Sequence, residues 1–395
     1  LSYFLVLERK RMEKLWLDIT IWFGLVLIAS IFSRTLAISA ALVELIVGII
    51  AGNTIHPNIT EWVTFLASFG AVILTFLAGA EIETSVLRNY WKESLILGLI
   101  GFFAPFLGAW FFTQFVLGWP LKQAQLTGIA LSTTSVAVVY SVMVEKGLEK
   151  TNLGKLLLAA CFINDLGTVI ALGLIFTKFG IMMAVFVIVT IIILIILPKV
   201  THKYFDFVQN HPSEPEVKYI LFILAFLGFL ALKGGSEAVL PAYLVGAVLA
   251  NIFASNKELV KRLRASAMAL LTPFYFLKAG SLVNAAVLYS GIGLITLFFL
   301  VKTISKSIGL FPAGIAFKFS FRTNMFNTLM MSTGLTFGTI SALYGLNNGI
   351  INKDQYSVIV LAVISTAIIP TLIADIFFQP TEEDKDLKRE IITNK

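Results

Sequence analysis

Thirteen apolar runs, each near the length a helix needs to cross a bilayer, follow one another along this chain with only short polar connections between them. A hydrocarbon core takes about 20 residues of helix. By that measure the spans lie at about 16–33, 37–55, 61–80, 93–117, 124–145, 152–177, 180–198, 217–233, 237–255, 265–283, 287–317, 323–346 and 355–378. The composition agrees: 58% of the 395 residues are hydrophobic and 13% charged, where soluble chains carry about a quarter charged residues. The expected fold class is an all-α polytopic membrane protein of about 13 transmembrane helices.

The formal charge of +7 comes from basic residues scattered through short loops. Nucleic-acid binding would need them gathered on one face, so it is excluded. In a membrane protein such residues set orientation. Nineteen Lys and Arg fall on the side of the C-terminus and eight on the side of the N-terminus. The C-terminus is therefore expected in the cytoplasm and the N-terminus outside. Lys278, Lys302 and Lys306 lie inside spans.

Cys161 is the one cysteine, so there is no intrachain disulfide and no zinc spacing. His56, His202 and His211 all fall in loops. No Ser/His, His/Glu or paired-Asp arrangement suits hydrolysis, which argues against an enzyme, and no cofactor is called for. Residues 1–11 read as a non-native or disordered extension, 12–378 as the transmembrane domain, and 379–395 as a short charged cytoplasmic tail.

The chain also repeats itself. Ser132-Thr133 in LSTTS has a counterpart 200 residues on, at Ser332-Thr333 in MSTGL. FLAGAEI (76–82) is similar to FLKAGSL (276–282), and VELIVGIIAGN (43–53) to AYLVGAVLAN (242–251). The three matches run in the same order, and the offset corresponds to seven spans. An odd number places the copies, about 37–178 and 237–378, in opposite topology. Inverted repeats mark secondary transporters with a site at the repeat interface. Spans five and twelve each hold a Ser/Thr/Gly cluster at mid-depth. Gly permits unwinding and Ser or Thr caps a broken backbone, so a matched pair of crossed, interrupted helices is expected.

Span six, GKLLLAACFINDLGTVIALGLIF, is apolar except for Asn164 and Asp165 near its centre. A carboxylate at that depth costs several kcal/mol and is kept mainly for function. It holds either a proton or a small cation, which is the minimal machinery of proton-coupled cation exchange. Asn164, Thr133, Thr134 and exposed carbonyls of span five can complete an oxygen shell. Lys302 and Lys306, four apart, share a helix face. Lys302 reads either as snorkelling or as buried. Lys306 and Lys278 read as charge-balancing groups, with Glu44 a candidate partner. Cys161 reads as packing.

The stretch LSTTSVAVVYSVMVEKGLEKTNLGKLLLAACFINDLGTV resembles the core signature of the Kef/NapA-type monovalent cation:proton antiporters. FGAVILTFLAGAEIETSVL and LVELIVGIIAGN resemble earlier segments of that family more loosely. The resemblance covers about 17–378. It implies Asp165 as the ion- and proton-binding carboxylate, Thr133 and Thr134 as the unwound helix beside it, and Lys306 as the basic residue near the carboxylates. It also implies a homodimer with a mobile core. The chain departs from the family in carrying Asn164 before Asp165 where many relatives have a second Asp, and in carrying Lys278 where the family is apolar. It also lacks the nucleotide-binding domain of full Kef systems, so gating by nucleotide within this chain is not expected. The expected function is exchange of Na+, with Li+ and K+ as alternatives, for H+ by alternating access. The rival readings are a channel-like potassium efflux subunit gated by a separate protein and an organic-anion symporter.

Overall fold

The structure, a computed structural model, describes residues 2–36, 39–80, 91–148, 151–176, 180–208, 211–236 and 238–380. The acidic exit of span three (81–90) and most of the tail (381–395) lie outside the described residues.

Apolar runs with no water to bond to satisfy their backbone within each segment, and among the described residues the regular structure is all helical. In chain order the helices are α1 Ser2–Leu36, α2 Ala40–Thr54, α3 Glu61–Ala80, α4 Trp91–Phe111, α5 Leu121–Ser132, α6 Val136–Glu145, α7 Asn152–Phe176, α8 Ile181–Val208 and α9 Pro215–Lys233. They continue as α10 Val239–Ser255, α11 Lys257–Ser266, α12 Thr272–Ser281, α13 Val287–Ser290, α14 Ile292–Ala316, α15 Phe321–Met331, α16 Thr336–Asn347 and α17 Lys353–Phe377. Single π-turns extend α4 at Phe112–Val116 and precede α12 at Ala267–Leu271.

Among the described residues, nine of the expected spans are helical segments long and apolar enough to cross a bilayer, counting α15 and α16 as one. Two more, α2 and α10, are shorter. The remaining two are composite: α5 followed by α6, and α11 followed by the π-turn and α12. All thirteen apolar runs are thereby accounted for.

The helices pack as two groups. One contains α1–α3 and α8–α12, the other α4–α7 and α14–α17. In the first group, α2 packs on α12 and α3 on α10. Glycine makes both approaches possible. A methyl group at Gly48 would meet Leu277 O at 2.3 Å, and one at Gly280 would meet Leu45 O at 2.1 Å. Gly79 and Gly246 make the matching contact between α3 and α10, against Tyr243 O and Phe76 O. These glycines come from the strings matched as repeats. Each first-copy helix packs on the second-copy helix that corresponds to the other, which is the pattern an internal two-fold relation gives.

The two groups are joined by an apolar core and by hydrogen bonds to main-chain carbonyls. Tyr243 on α10 donates to Phe162 O on α7 at 2.7 Å, and Tyr356 on α17 donates to Ala279 O on α12 at 2.7 Å.

Candidate functional site

Both expected interruptions are present. Helix α5 stops at Ser132 and α6 starts at Val136, with Thr133 extended at φ −64° and ψ 152°. The hydroxyl-rich sequence explains the stop. Ser132 Oγ donates to Ile129 O at 2.8 Å and Thr133 Oγ1 to Ala130 O at 3.1 Å, occupying carbonyls at the helix end. Ser135 Oγ accepts from Val138 N at 3.4 Å and caps α6. The second break is built the same way. Ser332 Oγ donates to Thr328 O at 2.7 Å, Thr333 Oγ1 donates to Met330 O at 2.8 Å, and α16 resumes at Thr336.

The two breaks cross. Ser135 N donates to Thr333 O at 3.1 Å, and Thr134 Oγ1 donates to Met331 O at 2.8 Å. The carbonyl-bearing ends of α5 and α15 therefore meet, and each helix end carries partial negative charge. Lys306, fully buried on α14, answers it. Its Nζ donates to Thr133 O at 3.1 Å, to Thr134 Oγ1 at 2.6 Å, and to Met331 O.

Asn164 and Asp165 reach the crossing from α7. Asn164 Oδ1 accepts from Thr134 N at 3.0 Å, and its Nδ2 donates to Ser132 O at 3.3 Å. The sequence reading assigned this amide to a cation. In the structure both of its atoms hold the break, which leaves one lone pair on Oδ1 for any other ligand. Asp165 is 1% exposed, and its Oδ1 has no hydrogen-bond partner. It lies in the electrostatic field of Lys306. The ion pairs formed among the described residues are elsewhere, as between Lys146 and Asp375 or Arg262 and Glu214. The site thus combines a buried carboxylate oxygen with no hydrogen-bond partner, the amine of Lys306, and the main-chain and hydroxyl oxygens of the two breaks.

Three expected participants sit differently. Lys278 on α12 donates to Thr64 Oγ1 at 3.3 Å, in the first helix group and away from the crossing. Glu44 is buried on α2 and takes part in none of the ion pairs found among the described residues. Lys302 does not snorkel: it is fully buried, and a methyl group on Gly334 in the second break would lie 2.1 Å from its Nζ. Cys161 packs in an apolar cluster with its Sγ 3.6 Å from Met331 Sδ, as expected. Sequence reasoning missed the carbonyl of Met331 and the space over Gly334. The Thr133/Thr333 correspondence pointed to the crossing, but a main-chain acceptor leaves no trace in residue types.

Residues 23–379 match the transmembrane sodium/hydrogen exchanger family. The chain belongs to that family. The exchanger is 26% identical over 347 residues to a probable Na+/H+ antiporter of Methanocaldococcus jannaschii, covering 83% of this chain and 89% of the relative. It is 24% identical over 369 residues to a Na+/H+ antiporter of Enterococcus hirae, covering 89% and 94%. Against cation/H+ antiporter 18 of Arabidopsis thaliana it spans only 42% of the relative. The solved structure of a sodium proton antiporter from Methanocaldococcus jannaschii at pH 8 superposes with a TM-score of 0.69, over 91% of the exchanger and 96% of that chain. At 16% identity that likeness establishes the fold: a polytopic helical membrane protein.

Proposed function

We propose that this exchanger moves Na+ against H+ across a membrane by alternating access, with Asp165 binding the two in turn. The observation that carries this reading is the unpartnered Asp165 oxygen at the crossing of two broken helices. A carboxylate buried at that depth is costly unless something binds it. The ligands at hand are oxygens: Asp165, the main-chain carbonyl of Thr133, the hydroxyl of Thr134 and the free lone pair of Asn164. That set suits a hard monovalent cation, Na+ first and Li+ or K+ as alternatives. The names of the relatives, Na+/H+ antiporters in two prokaryotes, support sodium.

Lys306 has a defined place in this reading. Its ammonium group holds the oxygens of Thr133 and Thr134 that a cation at Asp165 would share. Ammonium and Na+ therefore compete for one oxygen set, and Lys306 sets the field that Na+ enters. Lys278 is given no part in that balance.

The exchanger functions as a homodimer in a lipid bilayer, with its C-terminus in the cytoplasm. The resemblance to dimeric antiporters and the distribution of loop Lys and Arg support this. The channel-like reading is not favoured, because the relatives carry out exchange by name.

The test is purified protein in liposomes with an internal pH dye. An outward Na+ gradient should drive proton uptake, and a proton gradient should drive uptake of radiolabelled Na+. Unitary currents without obligatory proton movement would replace exchange by a channel.

A further inference from the structure

The chain crosses from the first helix group to the second between α12 and α14, at residues 282–291. Both groups hold that crossing, on alternate residues. Asn53, at the end of α2, takes the residues on either side of 284. Its Oδ1 accepts from Ala285 N at 3.0 Å, and its Nδ2 donates to Val283 O at 2.9 Å. The first turn of α17 takes Asn284 itself. Ser357 Oγ accepts from Asn284 N at 2.8 Å, and Asp354 Oδ1 accepts from Asn284 Nδ2 at 3.1 Å. Asn284 uses its own oxygens locally: Oδ1 accepts from Ala286 N at 3.1 Å, and the main-chain O accepts from Val287 N at 3.1 Å.

Each side of this junction is firmly built. A methyl group on Gly52 would lie 2.3 Å from Ser281 O, so α2 and α12 touch backbone to backbone just before the crossing. On the other side, α17 starts in a capping box made by Asn352 and Gln355. Gln355 Nε2 also donates to Gln123 Oε1 at 2.8 Å, which ties that turn to α5. Tyr356, between Gln355 and Ser357, reaches back to Ala279 O on α12.

Directed bonds of this kind cannot slide. Moving 284 away from α17, or 285 away from Asn53, leaves a main-chain N–H without its partner. The boundary between the groups is different at the level of the site. It is largely apolar there, and apolar contact is non-directional and can be remade after a shift. Its hydrogen bond from Tyr243 goes to Phe162 O, a carbonyl inside α7 that the helix ladder already serves. Losing that bond strands only a hydroxyl.

We infer that this junction is the pivot of alternating access: the two groups stay joined at Asn53, Asn284 and Ser357 and rock about that point. It rests on the Na+/H+ exchange reading. Helix α5 is the lever. It runs from beside the junction, at Gln123, to the break at Ser132, and its 12 residues span roughly 18 Å. A small rotation at the junction therefore swings the crossing of the broken helices past the first group, while the contacts at the pivot persist.

The full chain in proteoliposomes tests this. Asn284→Cys with Ser357→Cys should form a disulfide, since the main chain at 284 already lies against the side chain at 357. The native Cys161 is buried. The oxidised protein should exchange Na+ for H+ within about twofold of the reduced protein, because the bond joins points that do not part. If that pair does not fold, spin labels carried by Thr54→Cys and Lys353→Cys, exposed on either side of the junction, give a second measurement. Their reference is a pair carried by Ser255→Cys and Arg322→Cys, exposed on the two groups at the other membrane face. The first distance should be narrow and single, the second broad or doubled. Exchange that stops on oxidation and returns on reduction overturns the pivot. So does failure to crosslink in an exchanging protein, or a spread at 54–353 equal to that at 255–322. Absence of Na+/H+ exchange in the unaltered protein overturns the functional reading instead, whatever the crosslink shows.

Discussion

The side-chain oxygen of Asn164 accepts the main-chain N–H of Thr134 at 3.0 Å while its amide nitrogen donates to Ser132 O at 3.3 Å. One residue thereby satisfies both sides of the break between α5 and α6, and it is the chain neighbour of Asp165. Asn164→Leu should leave a buried N–H and a buried carbonyl unpaired and destabilise the protein by about 1–3 kcal/mol. Asn164→Asp keeps the acceptor but loses the donor, so it should be the milder change. Thermal unfolding in detergent, compared with exchange by the same samples, checks both.

Asp165→Asn should reduce cation-dependent proton movement to the background of empty liposomes. It replaces a buried charge with a neutral isostere, so the melting temperature should hold or rise. Exchange that survives this substitution would remove Asp165 from the site.

Lys306→Met removes the donor to Thr133 O, Thr134 Oγ1 and Met331 O together. Loss of one partner from a buried charged network costs about 3–5 kcal/mol, so little folded protein is expected. Lys306→Gln retains donors and should fold better with altered exchange. Yield and monodispersity on size-exclusion chromatography separate the two.

If proton and Na+ share Asp165, lowering the pH raises the apparent KM for Na+, because the protonated carboxyl must first lose its proton. A single competing proton gives a rise of about tenfold per pH unit within the titrating range, with Vmax unchanged at saturating Na+. The measurement is initial exchange rate against Na+ concentration at several pH values. A slope near two on logarithmic axes would mean that a second group, with Lys306 and Lys302 at hand, gives up its proton in the same step.

Lys278→Met should leave both the apparent KM for Na+ and its pH slope within about twofold of the unaltered protein, since Lys278 contacts Thr64 rather than the crossing. A changed slope would return Lys278 to the charge balance.

Much of the architecture was legible before any coordinates. Span number and helix type follow from hydrocarbon length and from backbone groups that must be satisfied within each span, both local properties. The Ser/Thr clusters at 132–135 and 332–333 announced their breaks because hydroxyls capture helix-end carbonyls locally. The partners of buried polar groups were not legible. Asn164, read as an ion ligand, also clamps the break, Lys278, read as a site charge, bonds Thr64, and Lys302, for which snorkelling was open, is enclosed. In each case the residue type stated a need for a partner, and only packing between distant segments named it.

The sequence by itself determined a membrane-embedded helical chain, a motif that recurs in its two halves, and a carboxylate at Asp165 in the middle of an apolar span. The tertiary structure decided what surrounds that carboxylate. It brought Thr133, 173 residues from Lys306 in sequence, to that lysine's amine, and it tied Asn324 on α15 to Phe311 O on α14. The division has a physical cause. Hydrophobic length and local capping are written into neighbouring residues, whereas a hydrogen bond to a main-chain carbonyl on another helix depends on where that helix comes to rest.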